Sequence, residues 1–595
     1  MSTPSRFSIA ALSALTACAP IEYVVLETDT DSADTEGDGE IIEGTDSAEE
    51  SGGVSAGSSD SDAPDSDPPP EAACEDEAEW LEEFVIEHCG NCHANGADQG
   101  GLANIDDYDS LIDLGLIVPG DAAGSPLFAR VEAGTMPPAG VMPRPSDTAI
   151  DRLGDYIDEC GPSGPDLDCT DQSLSLIDSL ELMIADLTTI DADDRQFIRY
   201  LSLTHLYNAG LCEDDLRTYR DATTKLINAL SNEAQLARLV PIDTDATILR
   251  VDLRDYGWDL PVAGFSDKWE ALVDASPYSV ERLEDQAETV KQLSGTNIPM
   301  LAADAFIDIA SQPPLYHDLV GIPETLQELQ AQLGVNINNN IEDEEVARAG
   351  VLDSGVSTQN RIIERHDIPL ASNRAFWISY DFEDDSNEAE NIYASPLDFE
   401  EAGGEVIFSL PNGLHAYMLT DAAGNRLDVA PDAIVTDPSQ DDDNVRNGVS
   451  CFGCHPHIIP AVDSVRDYVL NGVEFDAQTK DTVAALYLPQ TSFDDVVAAD
   501  TQTYQAAVTG LDINPGLEEE PVSDTFARFQ FNVSIEVAAA ELGIAPEVLL
   551  TQLGALDPAL TPLASTGVKR NTWSSLFADT ICRLNLGIAD DPECE

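Results

Sequence analysis

Cys89-Gly90-Asn91-Cys92-His93 sets two thiols three positions apart and puts a histidine directly after the second. This is the attachment signature of c-type haem. The chemistry dictates the spacing. Both thiols must reach the two vinyl groups on one edge of a porphyrin, and the adjacent imidazole must turn under the ring to give a nitrogen to the iron. The pattern recurs at Cys451-Phe452-Gly453-Cys454-His455. A C-x-x-C is also half of a zinc site or a redox pair. Zinc would need further Cys or His ligands close by, and neither pentapeptide has a second C-x-x-C. The expected cofactor is haem c, in two covalently held copies, bound by Cys89, Cys92 and His93 and by Cys451, Cys454 and His455.

Outward from the first pentapeptide, Glu77 to His88 reads as a helix with Trp80, Phe84 and Val85 on one apolar face. Tyr108 to Leu114 and Leu127 to Val131 read as short helices. Gly134-Thr135-Met136-Pro137-Pro138 follows, and Asp147 to Cys160 closes the unit as an amphipathic helix with Ile150, Leu153, Tyr156 and Ile157 inward. This order resembles a small class I cytochrome c domain, specifically the planctomycete type, whose late loop carries Met-Pro-Pro. The resemblance covers residues 76–162. It implies an all-α domain with His93 as proximal and Met136 as distal iron ligand, a pairing that suits electron transfer. Met142 is the rival distal ligand.

Toward the N-terminus, residues 1–18 read as a targeting segment: Arg6 supplies a short positive region and Phe7 to Ala17 are apolar or small. Leu15-Thr16-Ala17-Cys18 resembles a bacterial lipobox, which implies cleavage before Cys18 and diacylation of its thiol. The alternative is an ordinary secretory signal cut nearby. Residues 19–75 are a linker rich in Asp, Glu, Ser, Gly and Thr without Lys or Arg, too polar to offset its ordering entropy. These features predict a location on the periplasmic side or outer surface of a bacterial cell envelope, lipid-anchored.

The chain carries 113 acidic and 27 basic residues, a net charge of −86. Nucleic acid and anionic lipid surfaces are then poor partners, and a cationic redox protein is a suitable one. Six cysteines remain beyond the lipid and haem sites, which predicts three disulfides: Cys74–Cys160, Cys582–Cys594 and, by elimination, Cys169–Cys212.

Residues 163–440 read as mixed. Leu174 to Ile190, Asp193 to Ala209, Glu213 to Leu230 and Glu281 to Leu293 look helical, Thr247 to Leu253 is β-rich, and Gly403 to Val429 reads as a β meander. Residues 441–595 read as a helical region carrying the second haem, with Asp524 to Gly543 and Ala545 to Leu553 packing on it. The fold class is therefore α+β and multidomain, a small all-α unit before a larger, mainly helical body. Phrases such as His205-Leu206-Tyr207-Asn208-Ala209-Gly210, Pro313-Pro314-Leu315-Tyr316-His317 and Asn447-Gly448-Val449-Ser450-Cys451 resemble a group of secreted bacterial proteins built around Asn-Gly-Leu-Ser-Cys-x-x-Cys-His. Here Val449 replaces the group's Leu. The resemblance carries no activity.

After His455 the chain has no Met, and its only further His is His457, too near to cross to the other haem face. A sixth ligand must come from upstream, be an unusual Lys or Tyr, or be absent. The upstream candidates are His205, His317, His366, His415 and Met418. His366 leads, being in the polar Glu364-Arg365-His366 cluster. The leading function is electron transfer. The alternatives are a peroxidase-like enzyme with an open second haem, where Arg365 and His366 would polarise bound oxygen, and a haem-based redox or gas sensor. The residues leave open whether the protein is an enzyme.

Overall fold

A computed structural model describes residues 173–351, 361–369, 374–381, 401–430, 444–456, 464–517, 520–565 and 567–589, residue 458, and shorter stretches between 80 and 169. Cys18, Cys74, Cys92, His93, Met142, Cys160, His457 and Cys594 lie outside the described residues, as do the signal segment and linker. The chain divides into two compact units, 1–161 and 162–595.

In the first unit the described elements are helical. Helix α1 (Pro126–Glu132) starts with proline at its first position, where the missing N–H goes unused. Helix α2 (Asp147–Glu159) starts behind Ser146, whose hydroxyl accepts the Ala149 N–H at 3.2 Å. Its stripe of Leu153, Tyr156 and Ile157 is buried against Leu127 and Val131 of α1 and against Leu81, Phe84 and Val85. These are the inward positions that the 3.6-residue period picks out.

The second unit opens with α3 (Leu176–Thr189), close to its expected span. The expected helix from Asp193 to Ala209 is instead strand β1 (Ile198–Ser202) followed by α4 (Thr204–Ala209). All five residues of β1 are buried, Arg199 and Ser202 included, so the run has no polar–apolar alternation to mark a strand. Helix α5 (Glu213–Ala229) follows. β2 (Val240–Pro241) and β3 (Ile248–Asp252) come next, then β4 (Glu281–Arg282) in the first turn of another expected helix, and β5 (Met300–Ala302). β2, β3, β1 and β5 form a four-stranded sheet in that order, with β1 parallel to β5. Cys169 and Cys212 are disulfide-bonded, as expected by elimination. Cys582 is also in a disulfide, and its partner lies outside the described residues.

Helices α6 (Ala303–Ala310) and α7 (Leu315–Val320) lead into β6 (Ala347–Val351), β7 (Arg361–Asp367) and β8 (Ala375–Asp381). The meander then appears as expected: β9 (Gly403–Ser409), β10 (His415–Asp421) and β11 (Arg426–Leu427). All six pair antiparallel in one sheet, β11-β10-β9-β8-β7-β6. The body is therefore more β-rich than its sequence suggests.

The second pentapeptide is on α8 (Val449–Cys454). After it come α9 (Gln490–Gly510), α10 (Pro521–Phe529), α11 (Ile535–Leu542) and α12 (Arg570–Arg583); a short β12 (Gly587–Ile588) pairs with β4. The span expected as one helix from Asp524 to Gly543 is thus two, and the Ser534 hydroxyl caps the second by accepting the Val537 N–H. Val522 and Phe526 of α10 share a core with Val449, Cys451 and Phe452. Helices α11 and α12 build a separate core around Val537, Leu542, Trp573 and Phe577. Only the first part of the tail therefore packs beside α8. Among the described residues no single helix is long and apolar enough to cross a membrane.

Candidate haem-attachment sites

At the first site, residue 88 is helical and the Cys89 N–H donates to Val85 O at 2.8 Å, so the first thiol sits where the helix ends. Cys89 is half-buried against the Leu81, Phe84 and Val85 core and is not in a disulfide. Trp80 packs on Phe84 with ring centroids 5.3 Å apart, and the Arg152 guanidinium of α2 lies 4.2 Å over Trp80. Met136 is half-buried just past α1. Its N–H and that of Thr135 both donate to Arg130 O, at 3.1 and 3.0 Å, and the Thr135 hydroxyl adds a third bond to the same oxygen. The backbone thus fixes the segment that presents the sulfur.

The second site is described more fully. Cys451 and Cys454 are three residues apart on α8, a spacing that puts both thiols on one side of a helix. Cys451 is buried, Cys454 is exposed, and neither is in a disulfide. His455 follows the last turn. Its Nδ1–H donates to Ile458 O at 2.8 Å, which fixes the ring and leaves Nε2 as the ligating nitrogen. Burial pushes the imidazole pKa down, so the ring is neutral and ready to ligate. It stacks on Tyr417 of β10 at 6.2 Å. These residues fit a covalently held haem: two thiols outside any disulfide on one helical turn and a carbonyl-oriented neutral imidazole. Among the described residues no group of three or more His, Cys, Asp or Glu is placed to hold a bare metal ion, as a zinc reading would require.

The segment before the motif explains the shape of α8. Gly448 has φ +98°, a conformation that L side chains rarely adopt, and a Cβ there would lie 2.3 Å from Ser311 O. Ser450 Oγ accepts the Arg446 N–H at 3.0 Å. The fully buried Asn447 bridges two buried groups. Its amide donates to His317 Nε2 at 2.7 Å, and its oxygen faces the Cys451 thiol at 3.7 Å. Tyr316, beside His317 on α7, takes the Tyr417 backbone N–H on its hydroxyl at 3.0 Å. Sequence reasoning quoted the Asn447-Gly448 and Tyr316-His317 phrases without finding that they meet. Asn447 lies four residues before Cys451, but no local pattern places Tyr316-His317 beside it.

The sheet sets the leading sixth-ligand candidate, His366, apart from His455. In an antiparallel sheet, paired residues share a face and neighbours along a strand oppose. Tyr417 pairs in register with Ile407, then Trp377, then Arg365. That face carries His455. His366 lies on the opposite face, with Phe376, Phe408 and Ala416. Both its nitrogens are engaged: Asn340 donates to Nδ1 at 3.2 Å, and Nε2 meets Glu364 Oε2 at 3.3 Å. Arg365 faces the other way, with Nε on Asp500 at 3.0 Å. Arg365 and His366 therefore cannot act on one bound ligand. Met418 also lies on the far face, in register with Val406. His205 is bonded to Asp304 at 2.9 Å. Burial pushes the pKa of His317 down to about 3, so it stays neutral as the acceptor of the Asn447 amide. His415 alone of these candidates shares the face of Tyr417, and it stacks on Tyr504 at 4.0 Å.

Residues 89–140 match the family model of planctomycete cytochrome C. This stretch is cytochrome c-like, which implies covalent haem c and points to haem-based electron transfer. It holds Cys89, Cys92, His93 and Met136. No curated protein and no solved structure matches the chain.

Proposed function

We propose that the chain is an exported, lipid-anchored electron-transfer protein with two c-type haems. Cys89, Cys92 and His93 hold the first and Met136 completes its iron. Cys451, Cys454 and His455 hold the second. The observation that carries the two-haem reading is the hydrogen bond from His455 Nδ1 to Ile458 O, which sets the ring as a haem ligand's second-nitrogen partner sets it. Bound haem supplies reversible one-electron chemistry at each iron. The chain's own part is to fix the ligands and exclude water. Gly448 caps the start of α8, and Tyr417, packed on Phe452, stacks on His455. Cys18 carries the lipid, and residues 19–75 form a tether at the bacterial cell envelope. The acidic surface suits a cationic redox partner.

The placement of the upstream histidines supports a second reading, in which the second iron has an open position and binds a small ligand. His205, His317 and His366 each spend ring nitrogens on other side chains, and Met418 faces away. Carbon monoxide titration of the reduced protein, with haem counted in the same sample, separates the two. Two haems without CO uptake support electron transfer through two six-coordinate irons. One CO per two haems supports the open position, with peroxide turnover as the next assay.

A further inference from the structure

The second unit contains a cavity of about 130 Å³ that is separate in chemistry from the cysteine motifs. Leu180, Met300, Phe529 and Phe577 are among its apolar walls, and His205 and Asp304 stand in its lining. The cavity is about the size of one that takes a single benzene ring, ~150 Å³. Its lining carries further polar groups, Arg282, Lys291 and Glu541 among them, and its buried pair is His205 Nε2–H donating to Asp304 Oδ2 at 2.9 Å. The pair is 9% and 2% exposed. The second carboxylate oxygen takes the Ala305 N–H at 2.8 Å. Each carboxylate oxygen accepts two bonds, so Asp304 keeps acceptor capacity, and His205 keeps Nδ1.

Other polar residues of the His205-to-Gly210 phrase have structural work. Asn208 bonds the Leu174 backbone through both amide atoms, at 2.7 and 2.9 Å, and Gly210 has φ +108° against Leu167 O. The His205–Asp304 pair is different because it faces open space. A buried ion pair is rarely worth its desolvation for stability alone.

We propose that this cavity binds a neutral, single-ring molecule carrying a hydroxyl group, with the His205–Asp304 pair as its polar anchor. The apolar walls select the ring. Arg282, Lys291 and Glu541 also line the cavity and are engaged by the Leu542 and Glu541 carbonyls, by Glu281 and by Arg570, so a charged ligand would find no uncommitted counterion among them. Burial opposes the charged imidazole but Asp304 outweighs it and holds the His205 pKa above its ordinary value, so a hydroxyl can donate to Asp304 and accept from the Nδ1–H of protonated His205. Helix α6 runs from this site toward the second motif: Asp304 is at its start, and Ser311, just past its end, packs its carbonyl on Gly448. Seven residues of helical rise put the two about 10 Å apart.

Phenol is the probe, titrated calorimetrically into the full mature chain, with toluene as the ring without a hydroxyl. Phenol is expected to saturate one site at roughly 0.1–1 mM, the affinity open to a ligand of about seven heavy atoms. Toluene is expected to bind at least about fivefold more weakly, and Met300→Trp, which fills the cavity, to abolish both. Should Met300→Trp melt early, His205→Gln with an unchanged melting curve is read instead. It is expected to weaken phenol about tenfold and leave toluene unaffected. No saturable phenol binding up to ~10 mM, or binding unchanged in these variants, overturns the proposal. Heat is read and haem is not, so failure of the haem assignment leaves this test intact.

Discussion

Asn447→Ala removes the amide that joins His317 to the start of α8. The amide donates to His317 Nε2 at 2.7 Å, and both side chains are fully buried. Its loss leaves the buried nitrogen as an acceptor without its donor. A buried polar atom stranded in this way costs about 1–3 kcal/mol. The Cys451 thiol contact at 3.7 Å is weak and adds little. The backbone bond from Asn447 N–H to Asp428 O at 2.9 Å survives the change. The expected destabilisation is therefore about 2–3 kcal/mol. Urea unfolding followed by tryptophan fluorescence reads it, because Trp258, Trp269, Trp377 and Trp573 are all buried in this unit. Asn447→Asp adds a pH signature. A neutral His317 can switch tautomer to donate to the new carboxylate and a protonated one pairs with it, so this variant gains on the wild type as pH falls. A loss below about 0.5 kcal/mol in Asn447→Ala, or no such gain in Asn447→Asp, refutes the bridge.

Wild-type stability should fall on acidification for the same reason. His317 is held near a pKa of about 3 by burial, whereas the unfolded chain titrates near the ordinary value of 6.5. The unfolded state then binds more protons between those values, so stability is full above about pH 6.5 and declines toward pH 3. Equilibrium denaturation across that range should lose this dependence in His317→Gln. Gly448→Ala should cost more than about 3 kcal/mol, because the φ of +98° is strained for alanine and the new methyl meets Ser311 O. The loosened α8 should expose the buried Cys451 to faster alkylation. Replacing both Cys169 and Cys212 by Ser opens a link across 43 residues, worth about 3–4 kcal/mol on a loop-entropy estimate, and denaturation against the oxidised protein measures it. Tyr417→Phe should be neutral or slightly stabilising, by up to about 1 kcal/mol in the haem-free protein, since the buried hydroxyl has no hydrogen-bond partner among the described residues.

The sequence made the periodic helices readable. Residues 147–159 and 213–229 show one apolar stripe each, and the structure buries those stripes. The Gly-Asn and Pro-Asn-Gly turns likewise made β9 and β10 readable. β1 was hidden because Ile198 to Ser202 are buried on both sides and lack alternation. β7 was missed for the opposite reason: Glu364 and Arg365 are charged, and their partners Arg348 and Asp500 are 16 and 135 residues away. With β7 unseen, Arg365 and His366 looked like one polar cluster; on a strand, neighbours point to opposite faces. The motif histidine was legible from spacing alone. Its carbonyl partner at Ile458 and the Asn447 bridge depend on tertiary contacts that no local pattern announces.

The central claim is that both pentapeptides hold haem. The most direct measurement is intact-protein and peptide mass spectrometry of the chain made in a host that matures c-type cytochromes. The account predicts two covalently attached haems, one on the peptide of Cys89 and Cys92 and one on the peptide of Cys451 and Cys454. A haem on the first peptide alone, with both thiols of the second free to alkylate, would contradict it.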